Sequence, residues 1–252
     1  MQRIYYMNIH SLEKDKARLT ALLDDERRER LDAFRKEEDA LRSLAGGLLM
    51  RHIAGGKMIR YTEKGKPFVE GGPFFSMAHS GDYAAAVVSP RAQVGIDIEN
   101  TEDMRGGNFS SLAKKAFHPD ELRYFNEKPE LRRFYEIWTQ KEAFAKMKGE
   151  RLGIGLKTFS VFSFSVPPFS QQYEVGREQP AAYMRLFQNL DPYIVAVCAA
   201  ESVAVESFEK IEAVARGIVL GKHANTPPVS PAAAPGRYCA GSWRGAGPDL
   251  CR

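Results

Sequence analysis

Along the first hundred residues the apolar positions change period more than once. Residues 3–9 are rich in aromatic and β-branched side chains, which predicts an opening strand. From about Asp24, the residues Leu31, Phe34, Leu41, Leu44, Leu48 and His52 recur near helical spacing while charges fill the other face. This pattern predicts one long helix or two consecutive ones, stopped at Gly55-Gly56. Gly65-Lys66-Pro67 reads as a turn, and 74–78, 83–89 and 93–99 then read as three successive strands. Their connections, 79–82 and 90–91, are short enough for antiparallel hairpins.

The second half repeats that order loosely. A helical stretch covers 110–117, Pro119 opens another, and residues 130–148 carry the strongest helical pattern. Segments 159–166, 183–187 and 193–199 then read as strands. Helices followed by strands in both halves point to an internal duplication without a residue-level repeat. Residues 222–252 are dominated by Pro, Ala and Gly and lack apolar periodicity, so they are expected to be a disordered tail or a cloning-derived extension. The expected division is 1–101 and 102–215, followed by that tail.

Composition narrows the class. With 252 residues, 44% hydrophobic and 27% charged, the chain can bury a core without staples. A net charge of +4 does not single out a nucleic-acid binder, but a modest positive field favours an anionic ligand or an acidic protein partner. Cys198, Cys239 and Cys251 show no metal-ligand spacing, so neither a disulfide framework nor a zinc site is expected. The first ten residues lack the apolar stretch of a signal peptide and no run is long enough to cross a membrane, so a cytoplasmic location is expected.

Candidate chemistry lies in short segments. Asp97 and Glu99 are one residue apart in an expected strand, so both leave the same face. They read as two solvated acids at a strand end or as a cation site. Trp138, Glu142 and Lys146 fall on one helical stripe, either as an ordinary ion pair beside a core tryptophan or as a reactive face. Mg²⁺ binds through a few carboxylates plus substrate phosphates. A site of Asp97, Glu99 and Glu142 would leave positions open for a pyrophosphate, with Lys146 within reach of a phosphate oxygen. Arg27, Arg30 and Arg42 read as a solvated helix face, with acids mixed among them, or as a phosphate cradle. Lys66 and His79 are each ambiguous between a surface role and a phosphate contact.

Taken together, Gly95-Ile96-Asp97-Ile98-Glu99 and Trp138-x-x-Lys141-Glu142-Ala143-x-x-Lys146 resemble the two signatures of the 4′-phosphopantetheinyl transferases, of the longer surfactin-synthetase-activating type. Weaker features follow in family order: the basic helix ending at Arg42, Gly65-Lys66-Pro67, Ala78-His79-Ser80 and Phe159-Ser160-Val161. The resemblance runs to about residue 210. It implies an α+β fold, a pseudo-dimer of two similar half-domains. Each half is a small antiparallel sheet with a packed long helix, and the ligand cleft lies between them.

By the same resemblance Asp97, Glu99 and Glu142 hold Mg²⁺, Lys146 contacts the pyrophosphate, and Lys141 faces that site. Arg27, Arg30 and Arg42 fall where the family holds the 3′-phosphate of coenzyme A, and Lys66 and His79 where it contacts phosphates. Two departures stand out: Ala78 replaces a usual serine, and Arg151 stands at a usual glycine.

The implied activity transfers 4′-phosphopantetheine from coenzyme A to a serine of an apo acyl or peptidyl carrier protein, releasing adenosine 3′,5′-bisphosphate. Polyketide, nonribosomal-peptide or siderophore assembly would supply such carriers. A base is expected for the serine, either Glu142 or a metal-bound water organised by it. The rival readings are a Mg²⁺-dependent hydrolase of coenzyme A or nucleotides, and a non-catalytic module binding coenzyme A or a carrier. The expected partners are coenzyme A and the carrier, with neither nucleic acid nor membrane, and the chain is expected to act as a monomer.

Overall fold

The computed structural model describes residues 1–103, 108–150, 155–163, 182–201, 203 and 205–211. Strand β1 (Gln2–Asn8) opens the chain and leads through a 3₁₀ turn into short α1 (Lys16–Thr20), then α2 (Asp25–Asp32) and α3 (Glu37–Ala54). Of the two expected readings, one long helix or two consecutive ones, the second holds. Asp24 caps α2, its side chain accepting the Arg27 N–H, and Gly55 ends α3 at φ 57°, where a side chain would be strained. β2 (Ile59–Tyr61) and β3 (Pro67–Val69) form a separate hairpin around the Gly65-Lys66 turn. β4 (Phe74–Ser80), β5 (Tyr83–Ser89) and β6 (Val94–Asn100) follow.

In the second half, α4 (Phe109–Ala116), α5 (Pro119–Glu127) and α6 (Leu131–Lys148) precede β7 (Tyr183–Leu190), β8 (Tyr193–Ala199) and β9 (Val205–Lys210). Within the described residues of the strand expected at 159–166, a 3₁₀ turn at Val161–Ser163 stands instead, preceded by another at Leu156–Thr158. These turn residues cover apolar faces of α4, α5 and α6 instead of joining a ladder. The expected tail, Arg151, Cys239 and Cys251 lie outside the described residues.

Two sheets organise the molecule. One has the order β4-β5-β1-β9 and the other β6-β8-β7. β4 and β5 form the expected hairpin, but β5 and β6 do not pair: β5 takes β1 as its second partner, and β6 crosses to β8 with Asp97 opposite Ala196. β9 returns from the second half of the chain to run parallel to β1. The first sheet is thus mixed, and the second is antiparallel.

Alternation along each strand divides the core into layers. Ile4, Ala78, Ala85 and Val87 of one sheet meet Ile96, Ile98, Val195 and Val197 of the other in a shared interior. The outer face of the first sheet, through Met7, Ala84 and Ala86, is covered by Leu41, Leu44 and Leu48 of α3. The outer face of the second, through Met184, Ile194 and Ala196, is covered by Ala143 and Met147 of α6. Each fully buried leucine contributes on the order of 1.5–3 kcal/mol. The α+β class holds, and the layers run helix, sheet, sheet, helix. Among the described residues no helix is long and apolar enough to cross a membrane.

Candidate active site

The site is built where β6 lies against α6. Val94, Ile96 and Ile98 point into the shared interior, so Gly95, Asp97 and Glu99 take the opposite face, toward the helix. Gly95 is needed for the approach. A Cβ there would overlap the Ala143 carbonyl and the Met147 amide, and would lie 3.0 Å from Met147 Cα. With the helix seated that closely, the acids farther along β6 meet Glu142. Ligand atoms of Asp97, Glu99 and Glu142 all lie within 4.8 Å of one another. The two motifs, separate in sequence, thus form one cluster.

Lys146, one turn after Glu142, closes the cluster. Its ammonium donates to Asp97 Oδ1 at 2.6 Å and lies 3.6 Å from Glu142 Oε2. Burial works to lower its pKa, but Asp97, Glu142 and Glu99 more than reverse that and raise it to about 12. Asp97 is only 3% exposed. Burial first, then the like charge of Glu142, push its pKa well above the usual carboxylate range, against the pull of Lys146.

Asp97 Oδ2 is buried and has no hydrogen-bond partner among the described residues. An orphaned carboxylate oxygen is costly unless a cation completes it. Three carboxylates and one ammonium leave a net charge of −2, which one divalent cation balances. The donor set is all oxygen, as Mg²⁺ prefers. The residues present therefore fit such an ion.

The β4–β5 turn brings a second group of residues to the same edge. The Ser80 hydroxyl donates to Glu99 Oε2 at 2.7 Å and accepts the Asn100 N–H at 3.1 Å. Sequence reasoning did not assign Ser80 this part, since nothing local shows that β4 and β6 end side by side. On the α3 side of the turn, Arg42 donates to the Gly81 carbonyl at 2.8 Å and to Asp39 at 2.6 Å. His79, exposed on β4, shares that strand face with Phe75 and Met77. From the other side, Tyr193 accepts the Asp82 N–H at 3.0 Å.

The remaining predicted residues are spread more widely. Arg27 is half-buried, donates to the Tyr61 hydroxyl at 2.9 Å, and lays its stem against Gly47. Gly47 is about 7.5 Å farther along α3 than Arg42. Arg30 is exposed and pairs with Glu26 of its own helix at 3.2 Å. Lys66 reaches the Met147 carbonyl at 3.1 Å, the Val94 carbonyl at 3.2 Å and Gln93 at 3.2 Å. It therefore sits at the C-terminal end of α6, where the helix dipole is negative, and not among the carboxylates. Burial lowers its pKa to about 8.

Lys141 corrects an expectation. It does not face the cluster: its ammonium is fully buried against Glu121 at 2.8 Å on the far side of α6. Successive helix residues are about 100° apart, so Lys141 and Glu142 point in different directions. Trp138 stacks on Phe134 with ring centroids 5.5 Å apart and belongs to the apolar core.

Comparison with known proteins agrees with this geometry. Residues 93–198 match the model of the 4′-phosphopantetheinyl transferase superfamily. A 4′-phosphopantetheinyl transferase of Bacillus subtilis is 30% identical over 212 residues, covering 77% of this chain and 92% of that one. The psf-1 transferase of Bacillus pumilus is 30% identical, covering 82% and 94%. A phosphopantetheinyl transferase of Thraustochytrium sp. is 36% identical over 169 residues, but the match spans 58% of this chain and 59% of that longer protein.

Proposed function

The chain belongs to the 4′-phosphopantetheinyl transferase superfamily, in its surfactin-synthetase-activating branch, and from that premise we propose that it moves the 4′-phosphopantetheine group of coenzyme A onto a serine of an apo acyl or peptidyl carrier protein. The observation that carries this reading is the convergence of Asp97, Glu99 and Glu142 around an unpartnered carboxylate oxygen, with Lys146 beside them. In this reading the halves 1–101 and 102–215 form a pseudo-dimer that encloses coenzyme A in the cleft between them. The protein works as a monomer in the cytoplasm, on carriers of polyketide, nonribosomal-peptide or siderophore assembly.

Asp97, Glu99 and Glu142 would hold Mg²⁺, which supplies charge neutralisation to the pyrophosphate when bound. The carrier serine oxygen forms a bond to the β-phosphorus. The bond from that phosphorus to the bridging oxygen breaks, and adenosine 3′,5′-bisphosphate leaves with the electron pair. Glu142 takes the hydroxyl proton, since a free serine is a weak nucleophile and a carboxylate at the cluster's edge is a suitable base. Lys146 stays charged at neutral pH and offsets charge growing on the leaving phosphate.

The 3′-phosphate lies on the other side of the β4–β5 turn, against Arg42, His79 and Arg27, with Arg30 at its exposed rim. Arginine's planar fork suits this bidentate contact. Ser80 spans the turn and holds Glu99 in place.

The test is incubation with coenzyme A, Mg²⁺ and a panel of apo carrier domains, read by carrier mass. A gain of one phosphopantetheine on at least one carrier is expected. No gain on any carrier, with free phosphopantetheine accumulating instead, identifies a hydrolase and overturns the proposal.

A further inference from the structure

Behind the acidic cluster lies a second charged group that the chemistry above does not use. Lys141 and Glu121 form an ion pair at 2.8 Å with both side chains fully buried. The Lys141 ammonium also donates to the Leu156 carbonyl at 2.6 Å and the Phe159 carbonyl at 2.9 Å, and it sits 4.2 Å from the centre of the Phe159 ring. A lysine has three N–H donors, and three oxygens take them. Glu121 is equally complete: Oε1 accepts the Val161 N–H and Oε2 the His118 N–H, each at 2.7 Å. Among the described residues no donor remains for a phosphate, and both side chains are fully buried.

This network ties three segments to one point: the first turn of α5, the middle of α6, and the turns at 156–163. A buried pair of this kind adds little net stability over an apolar replacement, yet removing one partner strands a charge. Its effect is therefore geometric. Contact at Gly95 sets how close α6 lies to β6, but not how the helix is rotated about its axis. Lys141 precedes Glu142 directly, so pinning Lys141 at the back sets the direction in which Glu142 and Lys146 leave the front. For a side chain about 5–6 Å from the axis, a 20° rotation moves the carboxylate by about 2 Å.

Building on the transferase reading, we infer that Lys141 and Glu121 are positioning residues, a buried clamp that fixes the rotation of α6 and so aims Glu142 and Lys146 at the carboxylates of β6. Lys141 stands inside the motif that carries the reactive residues, but it contacts neither coenzyme A nor the cation.

The experiment compares Lys141→Met, Glu121→Gln and the double variant with the wild type, well below each melting temperature. Readouts are kcat, KM for coenzyme A, coenzyme A affinity by calorimetry, and Mn²⁺ affinity by electron paramagnetic resonance. Displacement on this scale predicts a loss of about 100-fold in kcat for Lys141→Met, with KM and coenzyme A affinity within about threefold of wild type. The double variant regains melting temperature, because no unpaired charge is left inside, but not kcat, because the clamp is still missing.

A rise of tenfold or more in KM and in the coenzyme A dissociation constant for Lys141→Met, with Glu121→Gln unchanged, shows direct contact and overturns the inference. Unchanged kcat in both folded single variants also overturns it. If Lys141→Met does not fold, Glu121→Gln decides, with kcat expected to fall at constant KM. If the wild type transfers nothing to any carrier, the transferase reading fails by itself. The clamp is then judged by Mn²⁺ affinity alone, expected to weaken about tenfold in both single variants, and no change refutes it.

Discussion

Replacing Asp97 by Asn separates the two jobs of the acidic cluster, holding a cation and tolerating its own charge without one. In the cation-free protein, Asp97 faces Glu99 and Glu142 with ligand atoms within 4.8 Å, and Lys146 at 2.6 Å. At an effective dielectric constant of about 20, each repulsion is at least about 3.5 kcal/mol, so the two total at least about 7, and the attraction is about 6. These nearly cancel, leaving burial of the carboxylate to decide the sign, and burial disfavours the charged form.

Asp97→Asn is therefore expected to melt no lower than wild type without cation at neutral pH, since the amide oxygen still accepts from Lys146. With Mg²⁺ the order reverses. At a concentration 100 times the dissociation constant, the wild type gains about 2.7 kcal/mol. For a chain of this size that is roughly 5–11 °C in melting temperature. The variant gains almost nothing.

Linkage gives a third reading of the same variant. Folded Asp97 keeps its proton to higher pH than unfolded Asp97, so the unfolded chain binds fewer protons across that window. Stability of the cation-free wild type therefore falls as pH rises from the ordinary carboxylate range upward, and the substitution removes that part of the slope. Differential scanning fluorimetry across pH, with and without Mg²⁺, measures all three. A Mg²⁺ shift retained in Asp97→Asn, or a cation-free variant melting well below wild type, refutes the reasoning.

Other expectations follow from single contacts. Gly95→Ala forces a methyl into the Ala143 carbonyl and is expected to cost about 3 kcal/mol or more, lowering the melting temperature by at least about 6 °C and abolishing transfer; near-native melting would show that β6 and α6 do not lie this close. Ser80→Ala removes the donor to Glu99 and should weaken Mn²⁺ binding about tenfold, read by calorimetry, while the melting temperature falls by a few degrees because the Asn100 N–H loses its acceptor. Arg42→Ala should raise KM for coenzyme A at least tenfold. Arg30→Ala, at an exposed residue paired with Glu26 of its own helix, should raise it less than threefold; equal effects would remove the proposed 3′-phosphate position.

Much of the site was legible before any coordinates, for a physical reason. Alternation in a strand and 3.6-residue spacing in a helix are local properties, so the shared face of Asp97 and Glu99 and the stripe of Glu142 and Lys146 follow from the order of residues alone. Helix ends were readable where Gly55 and Pro119 act on their own neighbours; the His118–Glu121 capping box before α5 came only from the structure. The strand expected at 159–166 is absent from its described residues, 159–163, for the complementary reason. Its apolar residues are needed to cover helices, and that demand is not written locally.

What lies opposite a face is a tertiary matter. Periodicity could not say that β5 takes β1 while β6 crosses to β8, nor that β9 returns to run beside β1, because such pairings join residues up to two hundred positions apart. The same limit governed the lysines of α6. Lys141 and Lys146 are alike as residues, and one motif contains both. Only the packed structure turns one inward onto Glu121 and sets the other on Asp97, because a charge's role depends on which groups surround it after the chain has closed.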